Sequence, residues 1–277
     1  MDKNDFLFTL AGKVIVVTGA TGLLGKKHVE AIAMYGGNPI ILDLDQGLAD
    51  KLAKQLNKKF GVEASGYKVD ITNESEIVTN VKKIIKRYNK IDGLVNNAAK
   101  NPKIEDSGLK NFSRLENFPQ EIWSEDISVG LTGTYLCLKH YGYKISRNPD
   151  GGSIVNISSD LGLIAPDQRL YLRPSVVEEK QPVKPLTYSV VKSGIIGLTR
   201  YVATYWADCN VRCNVICPGG VNNGQPEDFL RKIHKRIPMN RLATADEYQG
   251  TLIWMLSDAS SYLNGAVVSV DGGRTAW

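Results

Sequence analysis

The sequence lacks most of what would mark a secreted, membrane-embedded or metal-clustered protein. It holds 4 cysteines in 277 residues, without the paired spacing that frames a disulfide-stapled domain, and this usage suits a reducing compartment. Cys209, Cys213 and Cys217 recur at every fourth position. However, Cys213 and Cys217 fall on an expected strand, and no fourth Cys or His stands nearby, so no metal site is read from them. No apolar run approaches the roughly 20 residues of a membrane span, and Phe6-Leu7-Phe8 behind a charged start is too short for a signal-peptide core. The expectation is a soluble, cytoplasmic protein. Blocks of like charge are also missing: 34 basic against 29 acidic residues give a net charge of +5, which does not point to nucleic acid. There are no internal repeats or low-complexity tracts. With 43% apolar residues, the chain can bury one large core, and a single domain over residues 1–277 is expected.

What is present reads as alternating strands and helices. Val14-Ile15-Val16-Val17 is a β-branched run of the kind buried on both faces, and it leads into Thr18-Gly19-Ala20-Thr21-Gly22-Leu23-Leu24-Gly25. A helix follows over 26–35. Strand, glycine turn and helix in this order let bare backbone approach a pyrophosphate at the helix N-terminus. The next strand, Pro39 to Leu42, ends at Asp43. A carboxylate there can accept both ribose hydroxyls of an adenosine and repels a 2′-phosphate, favouring NAD over NADP. Asp45 is the alternative reader, with Asp43 then capping a turn.

Helix 48–60, strand 66–69 ending at Asp70-Ile71, helix 74–88 and strand 91–95 ending at Asn96-Asn97-Ala98 extend the alternation. The fold class expected is α/β: a doubly wound, Rossmann-like parallel sheet of about seven strands in three layers, with its ligand at the strands' carboxyl ends. The polar segment from Lys100 to Glu121 resists assignment. A helix over 122–145 and a strand over 152–157 then deliver Ser158-Ser159 to the same rim. Between Ser159 and Tyr188 lies an inserted loop, around 165–187, with Pro166, Pro174, Pro182 and Pro185 among Arg169, Arg173, Lys180 and Lys184. Beyond the Tyr188 helix come a strand over 211–217, a polar loop or short helix over 222–240 with Arg231, Lys232, His234, Lys235 and Arg236, a helix over 245–256 and a last strand over 266–270.

Tyr188 and Lys192 are four residues apart at the start of an apolar helical run, so they share a helix face. A cation near a phenol favours the phenolate and lowers its pKa from about 10. By itself this spacing is common and usually marks a solvated pair.

Taken together, Thr18-Gly19 through Gly25, Asp43, Asp70, Asn96-Asn97-Ala98, Ser159, Tyr188 with Lys192, Pro218-Gly219 and Asp271-Gly272-Gly273 resemble the short-chain dehydrogenase/reductase family over nearly the whole length. The resemblance implies hydride transfer between a secondary alcohol or ketone and C4 of a nicotinamide. It implies Tyr188 as proton carrier, Ser159 as hydrogen-bond partner of the substrate oxygen, and Lys192 as the cation that depresses the tyrosine pKa and binds the nicotinamide ribose. By the same carry-over Gly19, Thr21, Gly22, Leu23 and Leu24 approach the pyrophosphate, Asp70 and Ile71 flank the adenine, and Asn97 and Val221 lie toward the nicotinamide. Ser159 is taken over Ser158 because the second serine of the motif is usually the catalytic one. Homodimers or homotetramers are common in the family, built through the tyrosine helix and the C-terminal strand. Ile195, Leu198, Tyr201, Val202 and Tyr205 fit a buried face of that helix, whether the cover is intra- or intermolecular.

Three departures matter. The glycine spacing is that of the family's longer, sugar-nucleotide-modifying branch, whereas the Asp271-Gly272-Gly273 ending is that of the short branch. Gly130 stands where the family often has an asparagine whose carbonyl holds a proton-relaying water. The insertion and the basic loop flank the substrate mouth, either as a solvated rim or as a site for an anionic, carbohydrate-derived substrate, and the insertion resembles that of flagellin and surface-polysaccharide sugar enzymes. A 3-oxoacyl reductase and a non-catalytic NAD-binding sensor are the alternatives. Asp43 argues against the NADPH preference of the first, and the retained Tyr188 and Lys192 argue against the second.

Overall fold

In the computed structural model, which describes residues 7–100, 113–174 and 176–277, strand β1 (Val14–Thr18) is buried along its whole length. Both faces of the sheet are covered there. Ile15 and Val17 pack with Ile41, Val29, Ile32, Leu252 and Ile253 on one side, and Val14 and Val16 pack with Ile40, Leu42, Ile77, Leu94 and Val202 on the other. Each such aliphatic side chain withdrawn from water stabilises the fold by roughly 1.5–3 kcal/mol. A parallel strand read as a continuous β-branched run therefore sits at the centre of three layers.

The chain alternates β1, α1 (Leu23–Met34), β2 (Asn38–Asp43), α2 (Gln46–Phe60), β3 (Ser65–Lys68), α3 (Glu74–Tyr88) and β4 (Gly93–Asn96). A helical stretch follows, made of α4 (Gln120–Ile127), α5 (Gly133–Cys137) and α6 (Tyr143–Ile145), joined by π-helical turns at Ser128–Thr132 and Leu138–Gly142. Then come β5 (Gly152–Ile157), α7 (Leu186–Tyr205), β6 (Val211–Pro218), α8 (Glu227–His234), α9 (Gln249–Leu256) and β7 (Val267–Val270). The strands form one seven-stranded sheet in the order β3-β2-β1-β4-β5-β6-β7, parallel throughout, with Val16 opposite Ile40 and Leu94. The strand order reverses between β1 and β4, and a ligand crevice belongs at the carboxyl ends beside that switch point.

Caps set the bounds of α2. The Asp45 carboxylate accepts the Leu48 N–H at 2.9 Å and starts α2, which ends on Gly61 at φ +68°. Residues 245–248, expected within α9, form a turn instead, because Glu247 accepts the Thr244 N–H at 2.8 Å and is clamped by Arg241 at 2.6 Å. Most of the unassigned polar segment, 101–112, lies outside the described residues, and α4 begins at Gln120. The insertion is loop with short 3-10 turns at Gln168–Tyr171 and Glu178–Lys180. Ile195 and Val202 are buried on α7 as expected, but Tyr201 and Tyr205 are each 63% exposed, stacked on one another at 5.5 Å. They project from the side of α7 that faces away from the sheet. Among the described residues, no helix is long and apolar enough to cross a membrane, and no group of three His, Cys, Asp or Glu side chains is arranged to hold a metal ion.

Candidate active site

The glycine turn joins β1 to α1 at the switch point. Gly19 adopts φ +58°, and a Cβ there would stand 2.8 Å from the Ala98 backbone, so only glycine fits. Gly22 begins α1 with no side-chain cap, and no acidic residue occupies the first turn. The helix therefore presents N–H groups and a partial positive charge, the arrangement that suits a pyrophosphate. Asn97 locks the turn to β4: its amide donates to the carbonyls of Thr18 and Gly19, both at 3.0 Å, while its N–H and that of Ala98 donate to the Thr18 hydroxyl.

Asp43 faces this turn, accepting the Thr21 N–H at 2.8 Å through one oxygen and the Leu44 N–H at 2.9 Å through the other. Each carboxylate oxygen keeps a lone pair for a hydroxyl donor. Asp45, the alternative reader, is spent on capping α2. Asp70 accepts the N–H and hydroxyl of Thr72 at 2.9 and 2.7 Å, and Ile71 is buried, so both lie just beyond β3. The turn and the ends of β2 and β3 thus fit the diphosphate, ribose and adenine portions of a dinucleotide.

On the other side of the switch point, β5 delivers two serines with different surroundings. Ser158 Oγ donates to the Lys192 carbonyl at 2.7 Å and is tied into α7. Ser159 Oγ donates to Asp160 at 2.7 Å and faces the cavity. Lys192 is buried and its Nζ donates to the Ile157 carbonyl at 2.9 Å, so the first residues of α7 are pinned to the end of β5. One turn earlier, the Tyr188 ring has Lys192 Nζ at 5.8 Å and Lys184 Nζ at 4.1 Å from its centroid. A cavity of about 400 Å³ brings together Leu23, Leu24 and Asn97 from the turn side with Ser159, Tyr188, Lys192 and Val221 from the other. Gly19, Thr21, Gly22, Asp43, Asp70 and Ile71 lie outside it, along the strand ends.

Burial dominates the electrostatics. It pushes the Tyr188 phenol above its ordinary value, opposed by interaction with the Ser159 hydroxyl. It pushes Lys192 down to about 8, with Lys184 adding to the depression, and Lys184 likewise down to about 8. The group that lowers the tyrosine here is the Ser159 hydroxyl, not Lys192 as expected, and desolvation with the Asp160 charge outweighs it.

The basic residues of 222–240 do not line the cavity. Arg231 and Lys232 pair with Asp228, and Arg236 joins Arg169 on Asp167; the face of α8 turned inward carries Phe229 and Ile233. Sequence reasoning did not single out Asp160 or Arg274 among the lining residues, and carried Lys184 as one cation of the insertion flanking the mouth. Asp160 follows Ser159 and Arg274 follows Gly273, so adjacency to two motifs was the available signal. Gly130, buried in the first π turn, gives its carbonyl to the Thr134 hydroxyl at 2.8 Å. A Cβ there would stand 2.3 Å from Val191 Cγ1, so the glycine lets α7 approach.

A family model described as enoyl-(acyl carrier protein) reductase matches residues 19–275. An NADP-dependent mannitol dehydrogenase of Alternaria alternata is 33% identical over 274 residues, 96% of this chain and 94% of that one. The chain belongs to the short-chain dehydrogenase/reductase family. This dehydrogenase/reductase is also 30% identical to the post-translational flagellin modification protein A of Campylobacter coli, over 95% of its own length and 98% of the relative's. Its fold matches a short chain dehydrogenase from Leptospira borgpetersenii with bound NAD+, at 26% identity and a TM-score of 0.83, covering 99% of this chain and 96% of that one.

Proposed function

We propose that this oxidoreductase interconverts a secondary hydroxyl and a ketone on a polyol or sugar-derived substrate, with NAD preferred over NADP, working as one catalytic domain. The observation that carries the reading is the single cavity in which Ser159, Tyr188 and Lys192 meet the glycine-turn side chains Leu23 and Leu24. A nicotinamide dinucleotide held by the glycine turn and Asp43 would supply the hydride acceptor for the carbinol carbon. The Tyr188 oxygen takes the hydroxyl proton as the carbonyl forms and returns it in reduction. Lys192, held by the Ile157 carbonyl with its Nζ 5.8 Å from the centroid of the Tyr188 ring, is the cation that favours the phenolate in which the proton transfer begins, against the burial that opposes it. Asn223, Gln225, Asp160, Arg274 and Lys184 also line the cavity, a density of polar groups that suits a polyhydroxylated substrate better than an acyl chain. Lys184 brings a cationic side chain to the cavity for an acidic sugar, in place of the basic loop, while Arg274 is committed to Asp160. The similarity to a mannitol dehydrogenase keeps a free polyol in view, and that to a flagellin modification protein keeps a substrate of flagellin modification in view. The exposed Tyr201–Tyr205 stack on α7 supports a homodimer or homotetramer.

The test is reduction of NAD by a panel of polyols and sugar acids, with an acetoacetyl thioester as the competing acyl substrate. Tyr188→Phe should lower kcat by about 10²- to 10⁴-fold with dinucleotide binding retained. Turnover of the acyl substrate alone would sink the polyol reading, and NAD binding without any Tyr188-dependent turnover would return the sensor. Asp43→Ala should raise the KM for NAD by about 10- to 100-fold, the loss of hydrogen bonds to a charged group, and narrow the gap to NADP. An unchanged NAD to NADP ratio would remove Asp43 from cofactor choice.

A further inference from the structure

A serine hydroxyl has one proton to give, and Ser159 gives it to Asp160. The Oδ1 atom of Asp160 accepts that hydroxyl at 2.7 Å and the Leu161 N–H at 2.8 Å. Its Oδ2 accepts Arg274 Nη1 at 2.6 Å. The two charged side chains are 9% and 4% exposed, and both border the cavity. Arg274 arrives from the far end of the sequence by a defined route. Gly272 and Gly273, at φ +67° and +87°, reverse the chain after β7, and the Asp271 carboxylate accepts the N–H groups of Gly273 and Thr275 at 2.9 Å each. The turn is therefore fixed on both sides of Arg274, which enters the interior between them.

We infer that the Asp160–Arg274 pair is a positioning unit for Ser159: the carboxylate takes the serine proton, so that the serine oxygen, which also accepts the Leu161 N–H at 3.2 Å, meets an entering substrate hydroxyl as an acceptor. The guanidinium holds the carboxylate in place. The inference rests on the roles of Ser159 and Tyr188 in the reading above. Its chemistry is one of donor and acceptor count. With its proton committed, Ser159 welcomes a hydroxyl, which brings a proton, whereas a carbonyl oxygen, which brings none, requires the serine to turn away from Asp160. Without Arg274, a buried carboxyl binds a proton more readily and becomes a donor itself, and the serine loses its fixed orientation.

The titratable groups facing Asp160 are Arg274, Tyr171, Lys184, Tyr188, Tyr248 and Cys217. Burial pushes Tyr171 up to about 12 and Cys217 up to about 11, raises Tyr188 and Tyr248, and brings Lys184 to about 8. Asp160 is the one carboxyl in the set.

The experiment is steady-state polyol oxidation against pH for the holoenzyme and for Arg274→Ala, Arg274→Lys and Asp160→Asn, with and without methylguanidine. Arg274→Ala should lose on the order of 10²-fold in kcat, the scale of a misplaced reacting group. Its acid limb should move to higher pH, because the lone carboxyl's pKa rises, and methylguanidine should restore both. Arg274→Lys should stay within about tenfold of the parent, keeping the charge. Asp160→Asn should lose a similar factor to Arg274→Ala, with no response to methylguanidine. Parent-like kcat and pH profile in Arg274→Ala or Asp160→Asn, or a loss in Arg274→Ala that methylguanidine leaves untouched, would overturn the inference. A second readout needs no turnover: the ultraviolet titration of tyrosinate, taken as a difference against the same protein carrying Tyr188→Phe. Asp160 raises the phenol's pKa, so Asp160→Asn should move Tyr188 ionisation to lower pH, and an unmoved titration would also overturn the pair's role. If the parent shows no Tyr188-dependent turnover, the functional reading fails and the titration alone decides the inference.

Discussion

The two halves of the sheet build their parts of the cleft from different materials. The half around β1, β2 and α1 uses backbone: a glycine at φ +58°, an uncapped helix start, and Asp43 and Asn97 bracing the turn. Among the described residues its deeply buried titratable side chain is His28, which stays neutral, pushed down to about 4 by burial. The half around β5, β6 and α7 uses charge in the interior: Lys192 on the Ile157 carbonyl and Arg274 on Asp160, with Lys184 over the Tyr188 ring. The difference teaches that holding a dinucleotide asks for shape and N–H groups, while moving a proton asks for buried charges held against the pull of solvent.

Breaking that contrast has graded consequences. The largest stability loss is expected for Arg274→Met, which leaves the Asp160 carboxylate buried and unpaired and costs about 3–5 kcal/mol. Adding Asp160→Leu should recover most of it, and urea midpoints of the single and double variants check this. His28 sharpens the contrast from the other half. Its folded pKa lies below the unfolded value, so the stability its neutral form supplies is complete above about 6.5 and is lost as pH falls toward about 4. His28→Leu should flatten that acid window by about 3 kcal/mol relative to the parent, measured as the difference between denaturant midpoints at acidic and neutral pH. The smallest effect belongs to the seam where the halves meet, at the π turn. Gly130→Asn should cost about 1–3 kcal/mol by overpacking Val191 and lower the turnover rate. Val191→Ala should partly restore both, a coupling that a double-mutant cycle reads directly.

The same contrast explains what was legible in the sequence. The β1 run, the glycine turn, Asp43 and the strand ends were readable because each depends on neighbours a few residues away, and α3 and β5 were placed to the residue for that reason. The pairing of Asp160 with Arg274 joins residues 114 apart, and no local pattern announces it. Lys184 was visible only as one more cation in a proline-rich insertion; the fold, by laying that insertion along α7, puts it over the tyrosine ring. The basic residues after Asn222 pointed toward the substrate mouth, but the amphipathic α8 turns Phe229 and Ile233 inward and leaves Arg231 and Lys232 to Asp228. Gly130 was recognisable as a departure, while the close approach it permits became apparent only with Val191 beside it.

The thiols offer a practical handle. Cys137, Cys213 and Cys217 are buried and Cys209 is half-buried; burial raises the pKa of all three of the former, which suppresses the reactive thiolate. A maleimide dye should therefore settle on Cys209 first. That residue precedes the first residue of β6, and the cleft opens beyond the last, roughly 25 Å away at the usual rise per residue of a strand. A fluorophore there would report assembly and unfolding while leaving the proton-transfer machinery untouched.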